Sequence, residues 1–217
     1  MSEIAAKAHR DSVARGEPRY RGSVIEPRPR CAGAGAGSPQ PDLLIVAYHD
    51  DEWGRPCNDD TDLFERLALE SFQAGLSWST ILRKREAFRV AFRGFDPRVV
   101  AAFDRSDRER LMADVGIVRN GAKVDATVGN AAAFLATAGE FGSFDAYLAD
   151  RVPPPPVRLP TDAVAGSIPA TTPVSDALSV DLKRRGFKFV GSTIVYAFMQ
   201  SVGLVDDHLP ECFRYHG

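Results

Sequence analysis

Beyond about residue 40 the chain reads as a succession of amphipathic helices. DDTDLFERLALESFQAG opens on acids suited to an N-cap, sets Leu63, Phe64, Leu67 and Ser71 on one face, and closes on Gly75 at a C-cap position. SWSTILRKREAFRVAF follows, with Trp78, Ile81, Leu82, Arg85, Phe88 and Phe92 near the helical period. DPRVVAAF and SDRERLMADV begin on Asp or Ser caps, the second running out at Gly116, and an Ala-rich helical stretch covers about Ala122 to Leu135. PPPPVRLP cannot be regular helix and marks an irregular or extended connection. PVSDALSVDLKRRG, from Pro173 to Gly186, and the apolar FVGSTIVYAFMQSVG supply two more helices. Alternating strand patterns are nearly absent, so the predicted fold class is all-α, with two groups of helices joined through the middle of the chain.

Residues 1 to about 40, rich in Arg, Pro, Gly and Ser, carry no sustained apolar period. The expected organisation is a flexible extension over 1–30 and a single domain over 31–217. A chain of 217 residues buries a core without disulfides, and the three cysteines, Cys31, Cys57 and Cys212, are too few and too scattered for a secreted disulfide framework. No apolar run approaches the ~20 residues of a membrane span, and the first residues lack an apolar signal core. The expectation is a cytoplasmic protein without membrane association.

A formal net charge of −2 gives no global pull toward nucleic acid. Two basic stretches interleaved with aromatics, Arg83 to Arg93 and Lys183 to Lys188, suit a phosphate backbone beside something stackable, but solvated faces of amphipathic helices look the same. His208 and Cys212, at H-x3-C spacing, would bring imidazole and thiolate to one side of a helical turn, as a tetrahedral metal site requires. Further donors are Cys31, Cys57, His9, His49 and His216. Cys31 with His49 would clamp the N-terminal arm to the C-terminal turn, whereas free thiols and a hydrogen-bonded histidine are the alternative.

Three other stretches carry candidate chemistry. AYHDDEWG, Ala47 to Gly54, reads locally as a helix-entry turn with acids in the first turn and aromatics packing inward. LESFQAGLSW puts Glu70 at the end of one helix and Trp78 at the start of the next; a buried acid facing an aromatic plate favours flat, cationic, donor-bearing ligands, while an exposed acid and a core tryptophan is the plainer reading. In DVGIVRNGAKV, the turn at Gly116 could offer backbone N–H groups to a DNA phosphate, with Arg119 and Lys123 adding charge, or could be an ordinary helix connection.

The order of these elements resembles the DNA-3-methyladenine glycosylase I family, a branch of the helix-hairpin-helix DNA repair glycosylases. The matching stretches are AYHDDEWG, LFERLALESFQAGLSWSTILRKRE, FDPRVVAAF, VGIVRNGAKV, TTPVSDALSVDLKRRGFKFVGSTIVYAFMQSVGLVDDH and the closing H-x3-C. The resemblance implies a helix-hairpin-helix glycosylase-like helical fold in which Cys31, His49, His208 and Cys212 hold a structural zinc ion joining the N- and C-terminal segments, with no organic cofactor. It implies that Tyr48, Glu70 and Trp78 bind the base, Glu70 being the residue tied to catalysis. Gly116, Arg119 and Lys123 would contact double-stranded DNA containing alkylated bases. The implied activity is monofunctional: 3-methyladenine is flipped out and hydrolysed away, starting base excision repair, by a monomer that leaves the abasic site uncut. Two positions depart from the family pattern. Gly33 stands where a tryptophan follows the zinc cysteine, and Ile45 where a tyrosine is common, which implies a looser pocket on one side. The competing reading is a non-catalytic helix-hairpin-helix protein that binds damaged DNA.

Overall fold

The computed structural model describes residues 28–34, 40–154 and 156–216. Nine α-helices lie among the described residues: α1 (Leu43–Asp51), α2 (Asp60–Gln73), α3 (Trp78–Ala91), α4 (Pro97–Ala101), α5 (Arg105–Ala113), α6 (Gly121–Phe141), α7 (Phe144–Arg151), α8 (Pro173–Arg184) and α9 (Ser192–Ser201). Strand structure among them is confined to one parallel pair, β1 (Val157–Arg158) with β2 (Val205–Asp206), so the all-α expectation holds. The proline-rich connection supplies β1, which ties the middle of the chain to its C-terminal part. The expected extension falls mostly on residues 1–27, which lie outside the described residues; within the described stretch 28–34 the Pro29 carbonyl accepts from the Phe213 N–H at 2.9 Å.

Local chemistry sets the boundaries. Asp59, Asp96 and Asp104 each accept hydrogen bonds from backbone N–H groups in the first turn of the helix that follows. Thr172 does so for α8, where Pro173 occupies a position whose N–H would have no partner. Asn120 caps α6, which continues past the predicted end near Leu135 to Phe141 and stops at Gly142, in a left-handed conformation of φ 92°.

AYHDDEWG does not enter a helix. Tyr48 to Asp51 form the last turn of α1, and the local reading with acids in a first turn is wrong. Acids at a helix C-terminus oppose its dipole. They are tolerated because Arg30 grips the Asp50 carboxylate at 2.9 and 2.6 Å, and Arg55 donates to the Asp50 carbonyl at 2.8 Å.

One core cluster gathers α2, α3, α6, α7, α8 and α9 around aromatic rings, among them Phe72 against Phe88 at 4.7 Å and Phe134 stacked on Phe144 at 4.0 Å. Within it sits a buried ion network. Arg85 donates to both carboxylate oxygens of Glu52 at 2.8 and 2.7 Å and to Glu65 at 2.5 Å, and Arg89 also bonds Glu65. Burial alone would lower the Arg85 pKa, but the two carboxylates override it and hold the guanidinium charged; Glu65 in turn is kept below the usual carboxylate range. The end of α1 is thereby fixed to α2 and α3. Arg85 and Arg89 are consequently no part of an exposed basic stripe, and the expectation of a phosphate-binding patch over Arg83 to Arg93 fails at its centre.

Gly203, just beyond α9, has φ 76°, and a Cβ there would lie 2.6 Å from the Arg55 carbonyl carbon and the Pro56 nitrogen. Gly203→Ala is expected to destabilise the fold by about 2 kcal/mol or more. Gly129 sits inside α6, where an added Cβ would meet nothing within 4 Å, so Gly129→Ala is expected to stabilise the protein by about 0.5–1 kcal/mol. Denaturant unfolding of the two variants checks the opposite signs.

Candidate functional site

The last turn of α1 and the C-terminal turn meet in a four-donor cluster. Cys31, His49, His208 and Cys212 are all buried, with one donor atom of each lying within 4.8 Å of the others. His49 Nε2 is 3.4 Å from Cys212 Sγ, and His208 Nδ1 is 3.6 Å from Cys212 Sγ and 3.7 Å from Cys31 Sγ. The turn carrying His208 and Cys212 is not helical; it closes by Cys212 N–H donating to the Leu209 carbonyl at 2.8 Å. The expected juxtaposition therefore arises through a tight turn rather than a helix face.

Surrounding groups orient the donors. His49 Nδ1 is 2.8 Å from Asp50, which fixes that nitrogen as the donor and leaves Nε2 as a lone pair aimed at the cluster. Asp50 is held by Arg30, next in sequence to Cys31. The Leu209 and Arg214 N–H groups donate to the sulfurs of Cys31 and Cys212, each at 3.4 Å. The closeness of the two sulfurs raises the Cys31 pKa and lowers that of Cys212, so Cys212 is the one favoured as the thiolate. Gly54 turns the chain beneath His208 at φ 71°, where a Cβ would approach His208 Nε2 to 3.0 Å. Two sulfurs and two imidazoles so arranged can hold a metal ion. Sequence reasoning passed over Arg30, Asp50 and Gly54, whose partners are distant in the chain.

Tyr48, adjacent to His49, meets Trp78 with ring centroids 5.1 Å apart and planes tilted by 54°. Asp42, the α1 N-cap, accepts from Arg83 at 2.6 Å and from Ser79, which ties α1 to the start of α3 and sets this aromatic corner. A cavity of about 260 Å³ opens beside it, lined by Cys31, Gly33, Ala34, Ile45, Tyr48, His49, Trp53, Trp78 and Ile168. Donor cluster and aromatic corner thus share one wall.

Glu70, on α2, is only 4% exposed and is not a wall of that cavity. No group among the described residues hydrogen-bonds its carboxyl. Burial pushes its pKa up to about 8, with Arg66 pulling the other way, and its charge helps raise the Tyr48 pKa after the larger effect of burial. Trp78 Nε1 is also buried without a partner among the described residues. Leu76, between Glu70 and Trp78, is 41% exposed beside Gly75 at φ 83°; an apolar side chain on a left-handed turn was its only sequence signal.

The turn between α5 and α6 departs from expectation. Lys123 is buried and donates to the Phe72 and Ala74 carbonyls at 2.8 and 2.7 Å, satisfying the end of α2, so it is not available to a phosphate. The Gly116 N–H is taken by the Asp114 side chain at 2.7 Å, and a Cβ at Gly116 would lie 2.9 Å from that of Ala87, so this glycine serves close packing. Arg119 is exposed. In the second basic stretch, Arg185 is engaged with Glu140 and Asp181.

Glu70 gives the DNA-free protein a pH signature. Its folded carboxyl keeps a proton that the unfolded one, near 4.5, has lost. The resulting destabilisation is absent below the unfolded value, grows as pH rises toward 8, and persists above it. Glu70→Gln is accordingly expected to stabilise the protein by about 3 kcal/mol at pH 8 and by much less at pH 5. Unfolding at the two pH values measures this, and an equal effect at both would refute it.

The chain is matched over residues 38–215 by the family model described as methyladenine glycosylase. DNA-3-methyladenine glycosylase 1 of Escherichia coli strain K12 is 48% identical over 176 residues, spanning 81% of this chain and 94% of that protein. The Haemophilus influenzae DNA-3-methyladenine glycosylase is 44% identical over 183 residues, 84% of this chain and 96% of the relative. A crystal structure of a 3-methyladenine DNA glycosylase I superposes with TM-score 0.80 at 45% identity, covering 86% of this chain and all of the other. The Staphylococcus aureus enzyme, solved to explain its 3-methyladenine recognition, superposes with TM-score 0.79 at 37% identity over 87% of this chain. Agreement in sequence and backbone along nearly the whole of these relatives means that the chain belongs to the methyladenine glycosylase family.

Proposed function

We propose that the protein is a DNA-3-methyladenine glycosylase, a monofunctional and monomeric cytoplasmic enzyme. It removes the base from alkylated double-stranded DNA by hydrolysis and so begins base excision repair. Residues 31–217 form its glycosylase domain, and Cys31, His49, His208 and Cys212 hold a structural zinc ion. The observation that carries the reading is the buried Glu70 carboxyl, without a hydrogen-bond partner among the described residues and close enough to Tyr48 for its charge to raise the Tyr48 pKa, together with the Tyr48–Trp78 corner. A solved tyrosine-to-phenylalanine variant of a 3-methyladenine DNA glycosylase I contains 3-methyladenine; it superposes with TM-score 0.78 at 37% identity over 85% of this chain.

Methylation at N3 makes the adenine a cation and weakens its pairing, so extrusion from the duplex costs less for the lesion than for normal adenine. In the pocket the ring stacks on Trp78 and Tyr48, and Glu70 accepts hydrogen bonds from the adenine edge. Cation and carboxylate neutralise one another. With a neutral adenine the buried carboxyl keeps its proton, whereas a cationic base favours the ionised form that accepts from its edge, which makes the same residue a selectivity filter. The C1′–N9 bond breaks with its electron pair moving to the base, which leaves neutral. Water adds its oxygen to C1′ and releases one proton. Because the leaving group is already cationic, stabilisation of charge and position suffices without a strong general acid.

The helix-hairpin-helix element is α5, its turn and α6, where exposed Arg119 and the α6 N-terminus suit a phosphate. Leu76 suits the gap that an extruded base leaves in the stack. Zinc would cross-link the two ends of the domain. A tetrahedral zinc ion separates sulfur and nitrogen ligands by roughly 3.6 Å, and the sulfur–nitrogen distances of 3.4 to 3.7 Å support that donor set.

DNA treated with a methylating agent is expected to release free 3-methyladenine and little 7-methylguanine on chromatography, with Glu70→Gln lowering the rate by roughly 100-fold. DNA binding without any released base would favour a non-catalytic binder instead. The purified protein is expected to contain one zinc per chain by elemental analysis. Cys212→Ser should lose the ion and lower Tm by about 5 °C or more, and unchanged zinc content in that variant would sink the four-ligand assignment.

A further inference from the structure

One buried charge has no part in the reaction described above. Arg66 lies on α2 one helical turn before Glu70, and its side chain is only 13% exposed. Side chains four apart on a helix are neighbours on one face, with Cβ atoms roughly 5–6 Å apart. Arg66 Nη1 donates to the Ser201 carbonyl at the end of α9, and Nη2 lies 3.7 Å from a Glu52 oxygen. Arg85 already donates to both Glu52 oxygens, at 2.8 and 2.7 Å, so Arg66 has the looser share of that carboxylate. The Arg66 Nε–H is buried with no hydrogen-bond partner among the described residues. An incompletely paired guanidinium in such a place costs free energy, and a neutral amide would satisfy the Ser201 carbonyl equally well. The packing alone does not account for a full positive charge at this position.

The charge falls on Glu70. Among the described residues, Arg66 is the charged group that acts on the Glu70 carboxyl, opposing the burial that raises its pKa. The other elements around it bring no free charge of their own. Tyr48, from α1, stays a neutral phenol because burial raises its pKa well above the ordinary value. Glu52 and Arg85, whose charges also reach Tyr48, are bonded to each other. Lys123, from α6, donates to the Phe72 and Ala74 carbonyls. Within the glycosylase reading, on which this inference rests, Glu70 accepts from the edge of a cationic base and must be ionised to do so. A guanidinium one turn away offsets part of the burial before the base arrives. Arg66 does not line the cavity beside Tyr48 and Trp78, so it acts through Glu70 rather than on the base.

We propose that Arg66 is a positioning residue of the glycosylase: anchored by the Ser201 carbonyl and Glu52, its guanidinium keeps the Glu70 carboxylate ready for the cationic base. Bond breaking at C1′ is unchanged. Above the pH at which Glu70 ionises unaided, the same positive charge only opposes the incoming cation, so the benefit of Arg66 is confined to lower pH.

The test follows 3-methyladenine release from methylated DNA by the full-length protein, measured as kcat/KM between about pH 5.5 and 9.5. Glu70 sets the acidic limb of the wild-type profile at about 8. Arg66→Gln removes the charge and keeps an N–H for the Ser201 carbonyl. It is expected to move the limb up by about one pH unit, lowering the rate about tenfold at about pH 6.5, with the gap closing by about pH 9.5. Arg66→Met repeats the neutralisation without the donor. Arg66→Lys, which retains the charge, should recover most of the shift. In a Glu70→Gln background, neutralising Arg66 should no longer alter the shape of the profile. A loss of equal size at every pH overturns the proposal, because Arg66 then merely supports the fold at Ser201. A limb that stays in place in both neutral variants, or moves as far in Arg66→Lys, overturns it as well. Each of these results leaves the glycosylase reading standing, whereas no release by the wild-type protein at any pH removes that reading and this inference together.

Discussion

Everything at the site depends on bringing two chain segments together that are 177 residues apart, at Cys31 and His208. Four donors from three stretches of chain converge in a space too small and too dry to leave them unpaired, so their mutual attraction, with an ion or a shared proton, decides where both ends of the domain lie. Tyr48 is one residue from a donor, and Cys31 and His49 border the cavity that Tyr48 and Trp78 also line. The four-donor cluster is therefore adjacent in space to the aromatic corner. The orientation of α1 serves both, since consecutive residues of its last turn supply Tyr48 and His49.

The molecule treats its buried carboxylates in two ways. Glu52 and Glu65 are matched by Arg85 and Arg89 with good geometry, and they fasten α1, α2 and α3 into one block. Glu70, further along α2 from Glu65, receives no such partner and stands protonated or strained by burial. The first arrangement gives rigidity, and the second leaves inside that rigid frame a carboxyl whose protonation depends on what comes to lie beside it.

Local signals in the sequence were sufficient for most helices because their caps are local: Asp59, Asp96, Asp104 and Thr172 each act on the turn that follows them. The misreadings share the opposite property. The acids of AYHDDEWG look like a helix start because the arginine that offsets Asp50 is 20 residues earlier. Lys123 looks solvent-facing because the carbonyls that bind it are about 50 residues away, and Arg85 hides its pairing with Glu52 and Glu65 for the same reason. The metal donors were legible as residue types at suggestive spacing, but choosing Cys31 and His49 over the other candidates required the family resemblance, since no local pattern joins them to His208 and Cys212.

Lys123 links two parts of the molecule that the sequence presents as separate. Its ammonium closes the C-terminal carbonyls of α2 at Phe72 and Ala74, immediately before the turn that carries Gly75 and Leu76, while its backbone belongs to the first turn of α6, a few residues past Arg119. Displacement of either segment is transmitted to the other through a single side chain. The two stretches are therefore one mechanical unit: a residue without a donor at position 123 would leave the Phe72 and Ala74 carbonyls at the end of α2 without that partner and uncouple the turn from α6.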